Sequence, residues 1–199
     1  MLKSLFGEKT TTTLFGQYES LAVTFPSMSA EQVFQTRKDE HGSTPLHWAA
    51  QNGKYEVCLA LMAYSTSKNP TNNDGWTPLH YAAEKGYSDI CQIIMNGIEE
   101  KNPKGKGNWT PAHLALQNGH FKLAEKIILE VSEKNPSTAD GLTLLHLAAF
   151  HNNKSLLQTI SQNISNINPP TTEGWTPLHL ASQNGHLDIV QHYFKADEE

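Results

Sequence analysis

The sequence has very little cysteine and no long apolar run. Its 199 residues include only two cysteines, Cys58 and Cys91, which are too few for the disulfide framework of a small secreted domain. No apolar stretch approaches the roughly 20 residues that a membrane helix needs. Residues 1–7 lack the apolar core and the cleavage site of a secretory signal. We therefore expect a cytoplasmic protein.

An excess of basic charge is also missing. Lysine and arginine number 15 against 20 aspartate and glutamate residues, which gives a net charge of −5. Neither a nucleic acid nor an anionic membrane is therefore the expected partner. The chain contains no glycine-rich phosphate loop, nucleophile elbow, H-E-x-x-H or C-x-x-C motif, and "GKGNWT" at 105–110 lacks P-loop spacing. We expect no enzyme activity, no catalytic, cofactor-binding or metal-binding residues, and no small-molecule substrate.

What the sequence does contain is a strict repeat. A threonine followed by Pro or Leu, an apolar residue and a histidine occurs five times at a spacing of 33 residues, without insertions. A fixed period of this length predicts a repeat architecture. The in-phase residues are Thr44, Thr77, Thr110, Thr143 and Thr176; His47, His80, His113, His146 and His179; Gly53, Gly86, Gly119, Asn152 and Gly185; and the asparagine of four Asn-Pro pairs, Asn69, Asn102, Asn135 and Asn168.

The repeated strings resemble those of the ankyrin-repeat family. "TPLHWAA", "TPLHYAA", "TPAHLAL", "TLLHLAA" and "TPLHLAS" match that family's T-P-L-H-x-A signature over about residues 39–199. The resemblance implies an all-α repeat solenoid, in which each repeat is a β-turn followed by two antiparallel helices. It divides the domain into repeats at about 39–71, 72–104, 105–137, 138–170 and 171–199.

The chemistry of the repeated residues agrees with this architecture. Thr77 can cap the free amides of a helix that starts at Pro78, where a missing N–H loses no hydrogen bond. Gly86 supplies the left-handed conformation that ends this helix, and Asn152 is the next most tolerant residue at the same position. Apolar residues at helical spacing predict a second helix over residues 87–95.

The in-phase histidines and the two cysteines each have a chemical and a structural interpretation. Zinc needs several ligands within about 2.3 Å of one ion, which one histidine per repeat, a helix diameter apart, does not supply. In the resembled family this histidine braces the turn and the adjacent repeat, so the structural role is favoured. Cys58 and Cys91 occupy a position where the other repeats carry Ala124, Leu157 and Val190, which predicts buried apolar side chains.

Function is expected at exposed positions that do not repeat, because the repeated positions build the scaffold. In the resembled family, partners meet the turn tips and the exposed side of the first helix on a concave face. The partner-binding residues that this selects are Asp74, Trp76, Tyr81, Glu84, Lys85, Trp109, Gln117, Asn118, Leu142, Phe150, His151 and Trp175. The tryptophans are either partner anchors or structural side chains that stack on a neighbouring turn, and the structural interpretation is favoured.

The pair Phe150–His151 is the most unusual of these positions, since the equivalent pairs are polar, as in Gln117–Asn118. We expect Phe150 and Leu142 to form an exposed apolar patch in the fourth repeat.

Residues 1–38 fall outside the register. A helix is predicted over residues 27–37, with Ser29 and Gln32 placed as a capping box. A stack needs its first apolar face covered, so a flexible start and a degenerate helical cap over about 14–38 are expected. The alternative is a targeting or docking segment.

Together these observations predict a non-enzymatic protein–protein interaction module, an adaptor, scaffold or inhibitor, that binds another protein and is itself a monomer. Two alternatives stay open. In the first alternative, the chain is the substrate-targeting domain of a larger enzyme. In the second, it is a translocated bacterial effector that acts on host proteins in the host cytosol. The length of the full gene would separate an independent module from a targeting domain.

Overall fold

The computed structural model describes residues 38–65, 67–162 and 164–196. The predicted cap with its Ser29–Gln32 capping box lies outside the described residues. The chain divides between Glu99 and Glu100 into two compact units, called here the N-terminal unit and the C-terminal unit.

Ten α-helices and one short 3-10 helix form the regular structure of the described residues, with one isolated bridge between Ser137 and Thr143. The N-terminal unit contains α1 (Pro45–Gln51), α2 (Tyr55–Tyr64), α3 (Pro78–Lys85) and α4 (Ser88–Asn96). The C-terminal unit contains the 3-10 helix (Lys106–Asn108), α5 (Pro111–Gln117), α6 (Phe121–Glu130), α7 (Leu144–Phe150), α8 (Lys154–Ser161), α9 (Pro177–Gln183) and α10 (Leu187–Ala196). Each repeat contributes one helix pair, so the predicted all-α repeat solenoid is confirmed.

In neighbouring repeats, the first helix packs against the next first helix and the second helix against the next second helix. In the N-terminal unit α1 contacts α3 and α2 contacts α4. In the C-terminal unit α5 contacts α7, α7 contacts α9, and α6 contacts α8. The core between them is aliphatic, and the paired alanines of the motif, such as Ala82 and Ala115, are fully buried and let the helices approach closely.

Every first helix begins directly after the motif threonine, as predicted. Thr44, Thr77, Thr110, Thr143 and Thr176 are the N-cap residues, and each forms a capping box with the histidine three positions later. The backbone N–H of Thr143 donates to Nδ1 of His146 at 3.1 Å, and the threonine hydroxyl lies 2.8 Å from the same nitrogen. The histidine therefore takes the place that glutamate or glutamine holds in most capping boxes.

The other ring nitrogen of the histidine reaches the next repeat. Nε2 of His47 donates to the Trp76 carbonyl at 3.0 Å, and Nε2 of His146 donates to the Trp175 carbonyl at 3.0 Å. A carbonyl can only accept, so the proton sits on Nε2 and Nδ1 is the acceptor for the threonine N–H. The bracing role implied by the family resemblance is confirmed for these two histidines.

His113 occupies the same position in its repeat, but its Nε2 does not make this hydrogen bond. Its Nε2 is buried without a hydrogen bond of good geometry. Burial lowers the pKa of His113 to about 4, and the nearby Leu142 carbonyl opposes this shift only in part. The neutral imidazole is therefore the form that the fold accepts.

The asparagines of the Asn-Pro pairs provide a second cap that the sequence analysis used only as a register mark. Oδ1 of Asn135 accepts from the backbone N–H of Leu145 at 3.0 Å, and Oδ1 of Asn168 accepts from Leu178 at 3.1 Å. Asn69 and Asn102 make the equivalent bonds. These bonds satisfy an amide at the helix start that has no partner inside the helix. The in-phase recurrence of the asparagines was the signal for this role.

The remaining local predictions are also confirmed. Gly86 ends α3 with φ of 74°, and Asn152 takes the left-handed conformation at φ of 55°. The second helix of the repeat that contains Gly86 spans Ser88–Asn96, one residue later than predicted. Cys58 and Cys91 are buried, and burial raises the pKa of Cys58 to about 12, as expected of an apolar core position.

Replacement of His146 should show that this side chain holds two elements together. His146→Ala removes the cap of α7 and the hydrogen bond to the Trp175 carbonyl, and leaves a cavity at a residue with 0% exposure. We expect a loss of about 2–4 kcal/mol in the free energy of unfolding, measured with urea. The matched control is His179→Ala, because His179 caps α9 in the same way but is exposed, and it should lose only about 1 kcal/mol. Equal losses would contradict the bracing role.

The buried histidines should also make stability depend on pH. Burial lowers the pKa of His113 to about 4 and lowers the pKa values of His47 and His146, so the unfolded chain binds more protons than the folded chain. Their contribution is therefore complete above the unfolded pKa near 6.5 and is lost as the pH falls towards the folded pKa. His113 alone should contribute a loss of roughly 2 kcal/mol between pH 7 and pH 5. Urea unfolding at several pH values should show a shallower fall for His113→Gln; an unchanged slope would refute this account.

Candidate partner-binding surface

The tryptophans of the candidate set pack against the motif histidines of their own repeats, one in a tilted and two in an edge-on arrangement. The ring centroids lie 5.5 Å apart for Trp76 and His80, 5.7 Å for Trp109 and His113, and 6.0 Å for Trp175 and His179. Each ring thus packs against the first turn of its own helix, and stacking on a neighbouring turn stays a prediction. Trp76 and Trp109 are half-buried, whereas Trp175 is 41% exposed. A role of these rings as partner anchors stays a prediction.

A polar and aromatic group lies at the turn before α3. The rings of Trp76 and Tyr81 are 5.5 Å apart, and Nδ2 of Asn72 donates to the Tyr81 hydroxyl at 3.1 Å. Oδ1 of Asn72 accepts from the backbone N–H of Asp74 at 3.1 Å and of Trp76 at 2.9 Å. Asn72 thus joins three residues of the candidate set, and sequence analysis missed it. Its signal was the equivalent Asp39, which caps the preceding turn in the same way.

Charge surrounds this group. Burial raises the pKa of Tyr81, the hydrogen bond from Asn72 opposes the shift, and the carboxylates of Asp74, Glu84 and Asp39 raise it further. Asp74 is exposed, and Nζ of Lys85 lies 3.8 Å from a carboxylate oxygen of Glu84. An exposed pair of this kind contributes little to stability, so both side chains can exchange partners on contact with another protein.

Phe150 is the centre of an aromatic patch in the C-terminal unit. Its side chain is 48% exposed, and its ring centroid lies 5.1 Å from that of His151. His151 in turn lies 5.4 Å from Phe121 at the start of α6. Nε2 of His186 donates to the Phe150 carbonyl at 2.9 Å. The Phe150 patch, defined by Phe121, Phe150, His151 and His186, therefore draws on three consecutive repeats.

Sequence analysis missed Phe121 and His186 because they lie at the starts of second helices, at positions where residue identity varies from repeat to repeat. His120, Asn153 and His186 occupy one such position and are half-buried. Phe121 and His186 lie three to four residues beyond the ends of the first helices, and this periodic position was the sequence feature that could have revealed them.

Leu142 lies away from the Phe150 patch. It precedes the N-cap of α7 and is half-buried, whereas Phe150 is the last residue of that helix. A rise of 1.5 Å per residue separates the two helix ends by roughly 10 Å. The ring of Phe150 packs against His151, and its carbonyl accepts from His186. Partner binding by Leu142 stays a prediction.

Gln117 and Asn118 are exposed at the end of α5. Nδ2 of Asn118 donates to the Leu114 carbonyl at 2.8 Å, and Asn184 makes the same bond to Leu180 at the end of α9. The Asn118 side chain therefore satisfies a carbonyl at the end of its own helix, while the Gln117 side chain is exposed.

The described residues contain neither a cluster of metal ligands nor a helix suited to a membrane. No group of three or more His, Cys, Asp or Glu side chains there is close enough to hold an ion. No helix in the same residues is long and apolar enough to cross a bilayer.

Comparison with protein families identifies the repeat type. A family model for ankyrin repeats, in three copies, matches residues 27–105, 46–137, 95–168 and 112–195. The chain belongs to the ankyrin-repeat family. Ankyrin repeats are generic protein–protein interaction modules and are typically non-catalytic. The match begins at residue 27, before the start at residue 39 that the motif spacing predicts. Comparison with curated proteins gives no significant match.

Proposed function

We propose that this ankyrin-repeat chain is a non-enzymatic adaptor, scaffold or inhibitor, and that it binds its protein partner mainly through the Phe150 patch. The observation that carries the proposal is the exposure of Phe150, 48%, at a position where the other repeats have only polar residues. Those residues are Gln51, Glu84, Gln117 and Gln183. An exposed aromatic side chain costs solubility, and the scaffold works with glutamine at this position in three other repeats, so stability does not explain the phenylalanine.

The chemistry of the Phe150 patch favours an apolar side chain of the partner. Edge-to-face packing between Phe150 and His151, with ring planes at 89°, fixes the phenylalanine ring before contact. A ring held in place loses little conformational entropy on binding, which is one reason why aromatic residues dominate interface hot spots. The half-buried imidazole of His186 supplies a polar edge to the patch.

The group around Tyr81 in the N-terminal unit is proposed as a second, more polar contact. It combines the Trp76 and Tyr81 rings with the carboxylates of Asp74 and Glu84 and with Lys85. Charged side chains of this kind contribute to the association rate and to the choice of partner more than to affinity. The low cysteine content and the buried thiols support the cytosol as the place of action.

A targeting domain of a larger enzyme or a translocated effector would bind its protein partner through the same Phe150 patch. Neither is favoured by a particular side chain or contact, so the test of the surface does not depend on the choice between them.

The decisive variant is Phe150→Gln, which installs the residue that three other repeats carry at this position. Partners captured on the immobilised wild-type chain would be identified by mass spectrometry, and the affinity of the purified partner measured by calorimetry. We expect Phe150→Gln to weaken binding by about 10- to 100-fold while the unfolding midpoint stays within a few degrees. Leu129→Gln is the control, because Leu129 is 62% exposed on α6 outside the patch, and it should bind like wild type.

Equal affinities of the wild-type chain and Phe150→Gln would refute the patch. A second variant, Leu142→Gln, tests the remaining part of the original expectation: a loss of affinity comparable to that of Phe150→Gln would bring Leu142 back into the binding surface.

A further inference from the structure

The first turns of the second helices carry charges, and the sign of these charges changes beside the Phe150 patch. Acidic residues lie in the first turns of α2, α4 and α10, namely Glu56, Asp89 and Asp188. The first turns of α6 and α8 contain no acidic residue and instead hold Lys122 and Lys154. These two helices belong to the third and fourth repeats, which contribute three of the four residues of the Phe150 patch.

Helix stability does not explain the two lysines. The N-terminal end of a helix carries partial positive charge, so a cation in the first turn is unfavourable and an anion is favourable. Glutamate or aspartate holds the position of Lys122 in three of the other four repeats, so the scaffold accepts an acid there. Among the described residues, neither Lys122 nor Lys154 forms an ion pair, whereas Lys101 and Lys104 pair with glutamates of the next repeat.

Both lysines lie close to the Phe150 patch along the chain. Lys122 directly follows Phe121, whose ring centroid is 5.4 Å from that of His151. Lys154 follows His151 by three residues, so their Cα atoms are at most about 11 Å apart. Both lysines are exposed. An extended segment advances about 3.3 Å per residue, so a segment of a few residues that lies on the patch can reach both ammonium groups.

The charge beside the patch is opposite to the net charge of the chain, which is −5. In the first turns of α6, α8 and α10, the two lysines stand against one carboxylate, Asp188. Burial lowers the pKa of His192 on α10, and the positive charge of Lys154 lowers it further. The group around Tyr81 in the N-terminal unit differs, because three carboxylates act on it. Each unit therefore presents an aromatic surface, and the charges beside the two surfaces have opposite signs.

We propose that the Phe150 patch binds an acidic segment of the partner protein. An apolar side chain of this segment packs on Phe150, and aspartate or glutamate side chains beside it reach Lys122 and Lys154. The inference rests on the function proposed above and adds the charge of the partner to it. An apolar centre with charges at its edge is the usual composition of a protein interface.

The lysines provide selectivity in this arrangement. Many apolar side chains would fit an exposed phenylalanine, and exposed charges contribute to the association rate and the choice of partner more than to affinity. A segment with lysine or arginine beside its apolar residue would be repelled. Nucleic acid is disfavoured as the partner, because its binding depends on many simultaneous contacts to phosphate, and two lysines supply few.

The test is a selection of random peptides displayed on phage against the immobilised wild-type chain. We expect the enriched peptides to combine an aromatic or large aliphatic residue with an excess of Asp and Glu over the unselected library. The most enriched peptide would be synthesised with a fluorescent label and titrated by anisotropy. Lys122→Glu and Lys154→Glu should each weaken its binding about three- to tenfold, because each removes an attraction and adds a repulsion.

Lys104→Glu is the matched control. It makes the same change of charge on an exposed lysine of the turn before α5, at the opposite end of that helix from Phe121, and should bind the peptide like wild type. Thermal unfolding separates binding from folding. Glutamate suits a first turn better than lysine, so Lys122→Glu should keep or raise the unfolding midpoint while it loses affinity.

Enriched peptides without an excess of Asp and Glu, or a selection that enriches no peptide, would overturn the inference. Equal affinities of Lys122→Glu and Lys104→Glu would overturn it as well, and so would labelled single-stranded RNA that binds wild type and is lost in Lys122→Glu. Phe150→Gln distinguishes the two proposals. If it loses the peptide while Lys122→Glu retains it, the patch stands and the acidic partner fails. If Phe150→Gln binds an acidic peptide as tightly as wild type, the patch itself fails.

Discussion

At His47 and His146 one imidazole ring joins the start of its own helix to the next repeat. Nδ1 accepts the backbone N–H of the threonine at the start of the same helix, and Nε2 donates to a carbonyl at the turn of the next repeat. Burial of an imidazole is unfavourable unless its two nitrogens are paired, and here both are paired only in the neutral form. The helix start, the stacking of repeats and the protonation state therefore depend on one another.

This dependence explains why the threonine and histidine of the repeated motif serve a structural role. A catalytic or metal-binding histidine needs a nitrogen that faces substrate or ion, whereas both nitrogens of His47 and His146 are committed to the backbone. The tryptophan that stacks on the motif ring and the asparagine that caps the same helix start add to this arrangement. Together they leave the residues that vary between repeats as the ones available for recognition.

The two compact units use this freedom differently. In the N-terminal unit, Tyr81 stands where three later repeats have leucine; its hydroxyl accepts from Asn72 and its ring packs against Trp76. In the C-terminal unit, Phe150 stands where the other repeats have glutamine or glutamate and opens an apolar surface. In both units the scaffold fixes the backbone, so one substitution changes the chemistry of the surface without changing the fold.

The sequence by itself determined the repeat family, the start of every first helix, the left-handed Asn152 and the buried cysteines. Each of these follows from local backbone preference or from a period of 33 residues, and both are visible in a linear chain. Only the tertiary structure decided that the Phe150 ring packs against His151, that His151 in turn contacts Phe121, and that the tryptophan rings pack against the histidines of their own repeats. These outcomes depend on which side chains of different repeats come within contact distance and on what covers each face. The sequence could not predict them, because a periodic pattern treats every repeat as equivalent.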